Sequence, residues 1–520
     1  MRRKRHGAVC MLLGAVLALL LCPWASAEDA ALPDSVKISP WAVQEVHRSW
    51  AEGLMAPEDV PETDYSRPVS RVQFARLAVQ WTAVCRETDA EALLAEYGTE
   101  TLREVFSDTR DPYAGLAARL GLMQGSGGAF RPDAKLTRAE AAAVLQRCMG
   151  LLGRTEANTA PQVFSDAYTI PRWAVEAVKY GSGRTTDAGR PLLSGSGGQF
   201  RPADAYSVEQ AIVTLVRCYD SRTVDTVYSG WRSAPGYDTV EITVSFGGDC
   251  TFGRGRNAAY AGSFDEMYDQ KGAAWFLGGI SEFQSDDLTM VNFEGALTAS
   301  DTPREEKPFI FKGRPAYAKI LKEGSVDVVT IANNHARDYG NAGLNDTIRY
   351  LTPYVAVSGY NRQPVLTVKG VKVGFASNLG WSFDAAQKRF IQSAVQNLRA
   401  QGAEIIIFNY HWGEEGSYQS NATQRAIAHY CIDSGADLVI GHHPHVVQEV
   451  ETYQGKQIAY SLGNLSFGGN RNPKDKNCLI FQQTFSLNLN TRKLEKTTCR
   501  AVPYKVSSVD WRNDYRPVPA

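Results

Sequence analysis

The stretch VIGHHPHVVQ, Val439–Gln448, holds three of the eight histidines in a 520-residue chain: His442, His443 and His445. It is one of six short apolar runs that end in a group able to hold a metal or move a proton. VEITVSFGGD ends at Asp249, and DLTMVNFEG carries Asn292 and Glu294. VDVVTIANNH delivers Asn333, Asn334 and His335, AEIIIFNYHWG delivers His411, and QIAYSLGN ends at Asn464. A lone histidine at a strand end is ordinarily a hydrogen-bonded turn residue. Six runs supplying imidazole, carboxylate and amide groups make a site for a divalent metal the better reading. Nitrogen and oxygen ligands without thiolate suit manganese, iron or zinc and argue against an all-oxygen calcium site. His429, inside the amphipathic AIAHYCIDSG, reads instead as a packed or surface helix residue.

Such groups need elements that bring them together. Between the β-branched runs lie helical stretches, FDAAQKRFIQSAVQNLRAQG and ATQRAIAHYCIDSG among them. That alternation predicts an α/β domain over 239–508 with a largely buried sheet, followed by a tail over 509–520. In such sheets ligands collect beyond the carboxyl ends of the strands. Pro444 is expected to hold His443 extended, since the residue before a proline is pushed away from helical backbone.

The motifs GDCTFGR, NFEG, ANNHARDYG, NYHWGEE, ADLVIGHHPHVVQ and YSLGN, in that order, resemble the CapA (PGA_cap) capsule-synthesis family, associated with poly-γ-glutamate. The resemblance implies the four-layer sandwich of the calcineurin-like metallophosphoesterases, with one or two divalent ions at the strand ends. Carried across by motif, the metal ligands would be Asp249, Glu294, Asn334, His411, His443 and His445. His335 would be the general acid, with Asp338 either orienting it or capping the following helix. Two departures stand out: Thr251 replaces the histidine of the D-x-H box, and NFEG replaces the GDxxD box. One metal position is therefore expected to be poorer in protein ligands, and His442 leaves the H-x-H register open. Lys312 and Arg314 in KPFIFKGRP, with Asn464, are candidates for contact with an anionic substrate, whereas Lys307 reads as a solvated charge.

The first third of the chain repeats itself. VFSDTRDPYAGLAARLGLMQGSGGAFRPDAKLTRAEAAAVLQRC (105–148) and its counterpart over 163–218 share an FSD start, an apolar helix, a glycine-rich turn, an F-R-P step and a capped second helix. A worn earlier copy ends RPVSRVQFARLAVQW. Three copies at a period of roughly 60 residues mean a helical repeat module. The repeats resemble S-layer homology (SLH) domains, which implies an all-α trefoil of three parts: 35–104, 105–160 and 161–220. It also implies a groove for anionic secondary cell-wall polysaccharide built on Arg71 and Arg138. Guanidinium forks suit carboxylate-bearing sugars; the third repeat has Val208 at that position. Residues 221–238, polar with glycine and proline, read as a linker.

The first 27 residues combine a basic start, an apolar core and a small-x-small site at Ala25–Ala27, the pattern of a secretory signal peptide. A net charge of −1 offers no bulk electrostatic case for nucleic acid. The cysteines never form a CxxC pair, which argues against a zinc knuckle or disulfide framework. Together these readings imply an exported protein held at the bacterial cell surface. Its metal site would act on a phosphoester or on a γ-glutamyl or amide bond in capsule synthesis, in company with capsule synthase subunits. The alternative is a non-catalytic protein that binds or tethers anionic capsule polymer. The two share every motif above and differ in whether His335 moves a proton.

Overall fold

The computed structural model describes residues 32–33, 35–56, 59–61, 63–304 and 308–520. The expected signal segment and Lys307 lie outside the described residues. The chain divides into two compact units. One holds the described residues up to Gln162 with Pro171–Ser196 and Arg201–Ala234; the other holds Val163–Ile170, Gly197–Phe200 and Pro235–Ala520.

The first unit is helical. Its helices Arg71–Cys85, Arg138–Leu151 and Val208–Ser221 each open on a capping box: Ser70 with Gln73, Thr137 with Glu140, Ser207 with Gln210. In a capping box the two side chains satisfy backbone N–H groups that the first helical turn leaves unpaired. The residues just before the caps close a backbone ring. Val69 N–H donates to Tyr206 O (2.8 Å), Tyr206 N–H to Leu136 O (2.8 Å), and Leu136 N–H to Val69 O (3.1 Å). The three repeats thus meet head to tail around a pseudo-threefold axis. Arg71, Arg138 and Val208 follow their caps at equivalent places, each donating its backbone N–H to the next repeat around the ring. The stretch expected as a linker is packed onto this unit up to Ala234. Trp231 is buried and its indole N–H donates to Glu156 at 2.7 Å. Cys148, Cys218, Cys250, Cys431 and Cys478 are buried free thiols.

The second unit is an α/β sandwich. Strand Thr239–Thr251 is central in an eight-stranded sheet. Leu288–Phe293, Val328–Thr330 and Ala356–Ser358 follow on one side in parallel, and Asn477–Asn488 and Leu494–Lys505 on the other in antiparallel. A six-stranded sheet is built around Ile405–Trp412, with Val371–Gly380 and Leu438–His442 parallel to it on either side. Three cores define the layers. Ile242, Val244, Phe246 and Met290 of the first sheet pack against Phe375, Ile407 and Ile440 of the second. The outer face of the first sheet, through Val291 and Phe293, buries Phe264, Leu277, Ile320 and Leu344 from helical segments. The outer face of the second, through Ile406, Phe408 and Tyr410, buries Ile391, Leu398, Ile427 and Cys431 of helices Ala385–Ala400 and Asp433-terminated Ala422–Asp433. The order of layers is helix, sheet, sheet, helix. Residues past 508, expected as a tail, belong to this fold: Val518–Pro519 pairs with Leu494–Lys505, and Tyr515 is buried.

Candidate metal centre

Strand periodicity decides where the candidate ligands point. Side chains alternate faces along a strand. Ile405 and Ile407 face the space between the sheets while Ile406 and Phe408 face the helices. Continuing that alternation puts Asn409 and His411 on the inter-sheet side, where both are buried. Leu288 and Met290 lead in the same way to Asn292, and Leu438 and Ile440 to His442. Asp249 follows a break in register after Phe246. Its backbone N–H donates to Gly463 O at 2.9 Å. A side chain at Gly248 would place its Cβ 1.9 Å from that same carbonyl, so only glycine fits beside it.

These ends converge. Asp249 accepts a hydrogen bond from Asn292 Nδ2 at 2.7 Å, lies 3.1 Å from His445 Nδ1, and accepts the backbone N–H of His443 at 3.3 Å. Asn292 Nδ2 also approaches His411 Nδ1 at 3.4 Å. His411 Nε2 is 2.9 Å from Asn334 Oδ1 and 3.9 Å from Glu294 Oε1. His335 Nε2 is likewise 3.9 Å from Glu294 Oε1, and its Nδ1 is 2.9 Å from Asp338 Oδ2. Asp338 Oδ2 also accepts the Phe311 N–H at 2.8 Å, so this carboxylate orients the histidine. It does not cap the helix Gly340–Leu351, whose N-cap position is Tyr339 and has no side-chain cap. Asn333 is a brace, donating to Phe293 O at 2.7 Å and accepting the His335 N–H at 3.2 Å.

Asp249, Glu294 and His411 bring one ligand atom each within 4.8 Å of one another, and Glu415, His443 and His445 form a second such group. Glu415 is a site residue that the run-end pattern does not flag. It follows the strand in a loop that Gly416 pins to the histidine turn by donating to Pro444 O at 2.8 Å. Trp381 is another, packing edge-on against His411 and His443 at ring separations of 5.9 and 4.8 Å. The only sequence signal for either was proximity to a run end.

The turn itself corrects one expectation. His443 is not extended: its φ is 101°, and His445 has φ 57°. Both side chains pay strain of about 1–3 kcal/mol for these conformations. The sharp turn lets the His443 N–H reach Asp249 while its ring lies tilted against His411 at a centroid distance of 4.6 Å. Lys312 and Arg314 are not gathered into this cluster. Lys312 is paired with Asp301, and Arg314 makes a two-pronged contact with Asp269 at 2.6 and 3.0 Å. Both line a separate cleft of about 520 Å³. Asn464 does belong to the cluster, 3.0 Å from His445 Nδ1. It lines a cavity of about 270 Å³ with His335, Glu415 and His445.

Electrostatics test whether a cation fits. Glu294 is fully buried and neither carboxylate oxygen has a hydrogen-bond partner among the described residues. Burial pushes its carboxyl up to about 8, despite the opposing pull of His445. Burial also pushes His442 and His443 down to about 4. Among the described residues, both ring nitrogens of His442 and Nδ1 of His443 lack hydrogen-bond partners. His445 moves the other way, up to about 9, because Glu294 and Asp249 outweigh its burial. A buried carboxylate left unpaired costs several kcal/mol. A divalent cation among Glu294, Asp249 and neutral imidazoles removes that cost, so the donor set fits a metal.

In the helical unit, Arg71 donates to Phe130 O and Gln124 O, both at 2.8 Å, and lies 5.0 Å over the Phe130 ring. Arg138 donates to Ser194 O at 2.8 Å and lies 6.0 Å over Tyr206. It lines a groove of about 160 Å³ with Trp41, Leu193 and Arg217. Val208 is fully buried.

Residues 243–468 match the family described as bacterial capsule synthesis protein PGA_cap, and residues 108–142 match the S-layer homology domain. The PGA biosynthesis protein CapA of Bacillus subtilis (strain 168) is 29% identical over 254 residues, which cover 44% of this chain and 64% of that protein. The capsule biosynthesis protein CapA of Bacillus anthracis is 28% identical over 260 residues, 44% of this chain and 61% of its own length. The chain thus spans a little under two thirds of these relatives. Among solved structures, a phosphatase from Mycoplasma pneumoniae aligns at 15% identity and a TM-score of 0.33, covering 51% of this chain and 94% of that one.

Proposed function

We propose, from the premise that residues 243–468 carry the PGA_cap capsule-synthesis domain, that this chain is a metal-dependent enzyme of capsule synthesis at the bacterial surface. It would act on a phosphoester or a γ-glutamyl or amide bond of an acidic capsule polymer. Its SLH repeats would hold it to anionic cell-wall polysaccharide, with capsule synthase subunits as further partners. The observation that carries the reading is the buried, unpartnered Glu294 carboxylate beside Asp249, His411 and His335. Asp249, Glu294, Asn334, His411, His443 and His445 would hold one or two ions, with Glu415 added to the set. When bound, manganese, iron or zinc would supply Lewis acidity and a water of lowered pKa.

The protein's own groups do the rest. Asp338 takes the Nδ1 side of His335, which fixes the ring and leaves Nε2 toward the site. To act from there, His335 must carry protons on both ring nitrogens; it keeps Nδ1–H on Asp338 and gives the Nε2 proton to a leaving group as the bond breaks. The walls between the two sheets exclude bulk water from Glu294 and His411, both of them buried. The test is metal analysis of the purified protein, followed by turnover on phosphoesters and γ-glutamyl oligomers, for wild type and His335→Ala. Loss of turnover with retained metal supports catalysis. Retained capsule function in a metal-loaded His335→Ala protein instead supports polymer tethering.

A further inference from the structure

A second cleft, of about 540 Å³, borders the strands of the metal centre and shares no lining residue with the cavity over it. Ala332, on its wall, immediately precedes Asn333 and Asn334; Leu379, also on its wall, is the registered strand partner of His411. Its charged lining residues are Arg337 and Arg362, and no carboxylate lines it. This sets it apart from the cleft of Lys312 and Arg314, where acids already occupy the cations. Neither Arg337 nor Arg362 has a side-chain hydrogen bond or ion pair among the described residues; Arg337 rests over the Tyr360 ring at 4.8 Å. The cleft also carries the side-chain amides of Asn341, Asn345 and Asn361.

The wall that carries Arg362 is a two-residue turn. Gly359 and Arg362 exchange backbone hydrogen bonds at 3.0 and 3.1 Å, and the turn residues Tyr360 and Asn361 have φ 49° and 67°. Two positive φ values suit asparagine and glycine; a tyrosine there is strained. The turn, closed by its two backbone hydrogen bonds, places Tyr360 under Arg337.

We infer that this cleft binds an acidic polyamide chain and feeds it to the metal centre. Guanidinium forks receive carboxylates in a two-pronged manner. Asparagine side chains donate to and accept from chain amides at once. A ligand with a carboxylate and an amide in each repeat uses both features of the wall. A phosphorylated polymer would use the arginines and only the donor half of each asparagine amide. This inference rests on the reading of the domain as one that handles acidic capsule polymer, and adds the place where the polymer is gripped.

The experiment is fluorescence anisotropy of the full chain with a labelled γ-linked glutamate oligomer, with and without EDTA, and with polyphosphate as competitor. Arg337→Ala and Arg362→Ala should each weaken oligomer binding by about tenfold, and the pair by more. Asn345→Ala should weaken the oligomer more than it weakens polyphosphate. Absent binding by wild type, or unchanged binding by the double arginine variant, overturns the inference. So does polyphosphate binding as tightly as the oligomer, which would mark a plain anion site. Metal content measured on the same samples separates the two claims. Oligomer binding that persists in a protein unable to hold metal leaves the cleft standing and the metal centre refuted; the reverse result does the opposite.

Discussion

Asp338 Oδ2 stands 2.9 Å from His335 Nδ1 and is fixed there by the Phe311 N–H at 2.8 Å. The pair is therefore a unit in which the carboxylate sets the orientation and tautomer of the imidazole. If His335 is the general acid, Asp338→Asn should lower turnover by about 10–100-fold, and His335→Ala by about 100–10,000-fold. Both variants should keep the metal content of wild type. Steady-state kinetics paired with metal analysis check this. Equal turnover in His335→Ala removes the histidine from the chemistry.

Glu294→Gln keeps the side-chain volume and removes the buried ionisable group. Divalent metal affinity should fall at least about tenfold. Metal-free Glu294→Gln should melt at or above the temperature of metal-free wild type, because the unpaired carboxylate is gone. Adding metal at a hundred times its Kd should stabilise wild type by about 2.7 kcal/mol, and the variant by less. Differential scanning calorimetry with and without EDTA reads both effects.

The trefoil predicts unequal repeats. Arg138→Ala should weaken binding to anionic cell-wall polysaccharide by about tenfold, from loss of one charge-assisted contact. Arg71→Ala should weaken binding and also lower the melting temperature, since Arg71 ties two carbonyls of the next repeat. Val208→Arg should add no binding and should destabilise by about 3 kcal/mol, because it forces a charge into a fully buried place. Co-sedimentation with purified wall polymer, alongside thermal melts, separates these outcomes.

Stability should also carry a pH signature away from the metal centre. Burial raises the Asp286 carboxyl from 3.8 to about 6, against the hydrogen bonds from Ser245 and from Thr289, whose Oγ1 donates at 2.7 Å. A raised carboxyl favours the protonated form in the folded state. Its contribution is full below 3.8 and is lost as pH rises through about 6. Asp286→Asn should therefore stabilise the protein at pH 7 by about 1 kcal/mol, allowing for its partial exposure, and leave stability at pH 3.5 unchanged. Urea denaturation at the two pH values checks the sign.

Much of the candidate centre was legible because each candidate ligand read from the sequence lies at or just after the end of an apolar run. Once Ile405 and Ile407 face the inter-sheet core, His411 must too, and Met290 fixes Asn292 in the same way. The capped second helices of the repeats were equally readable, and each opens on a capping box, at Thr137 and at Ser207. What sequence could not supply was long-range pairing. Nothing local marks Asp269 as the partner of Arg314, 45 residues away, so a committed arginine looked available. Glu415 reaches the cluster only because its loop is bonded to Pro444. The positive φ of His443 arises from a contact with Asp249, 194 residues distant, that overrides the local preference of a residue before proline.

A strand-end cluster that holds a divalent metal must bind one saturably once stripped. Isothermal titration of EDTA-treated protein with manganese, iron(II) or zinc tests it most directly, with Glu294→Gln in parallel. Saturable binding of one or two equivalents of at least one of these ions by wild type, weakened in the variant, is the expected result. No saturable binding of any of the three, or the same binding in both proteins, would contradict it.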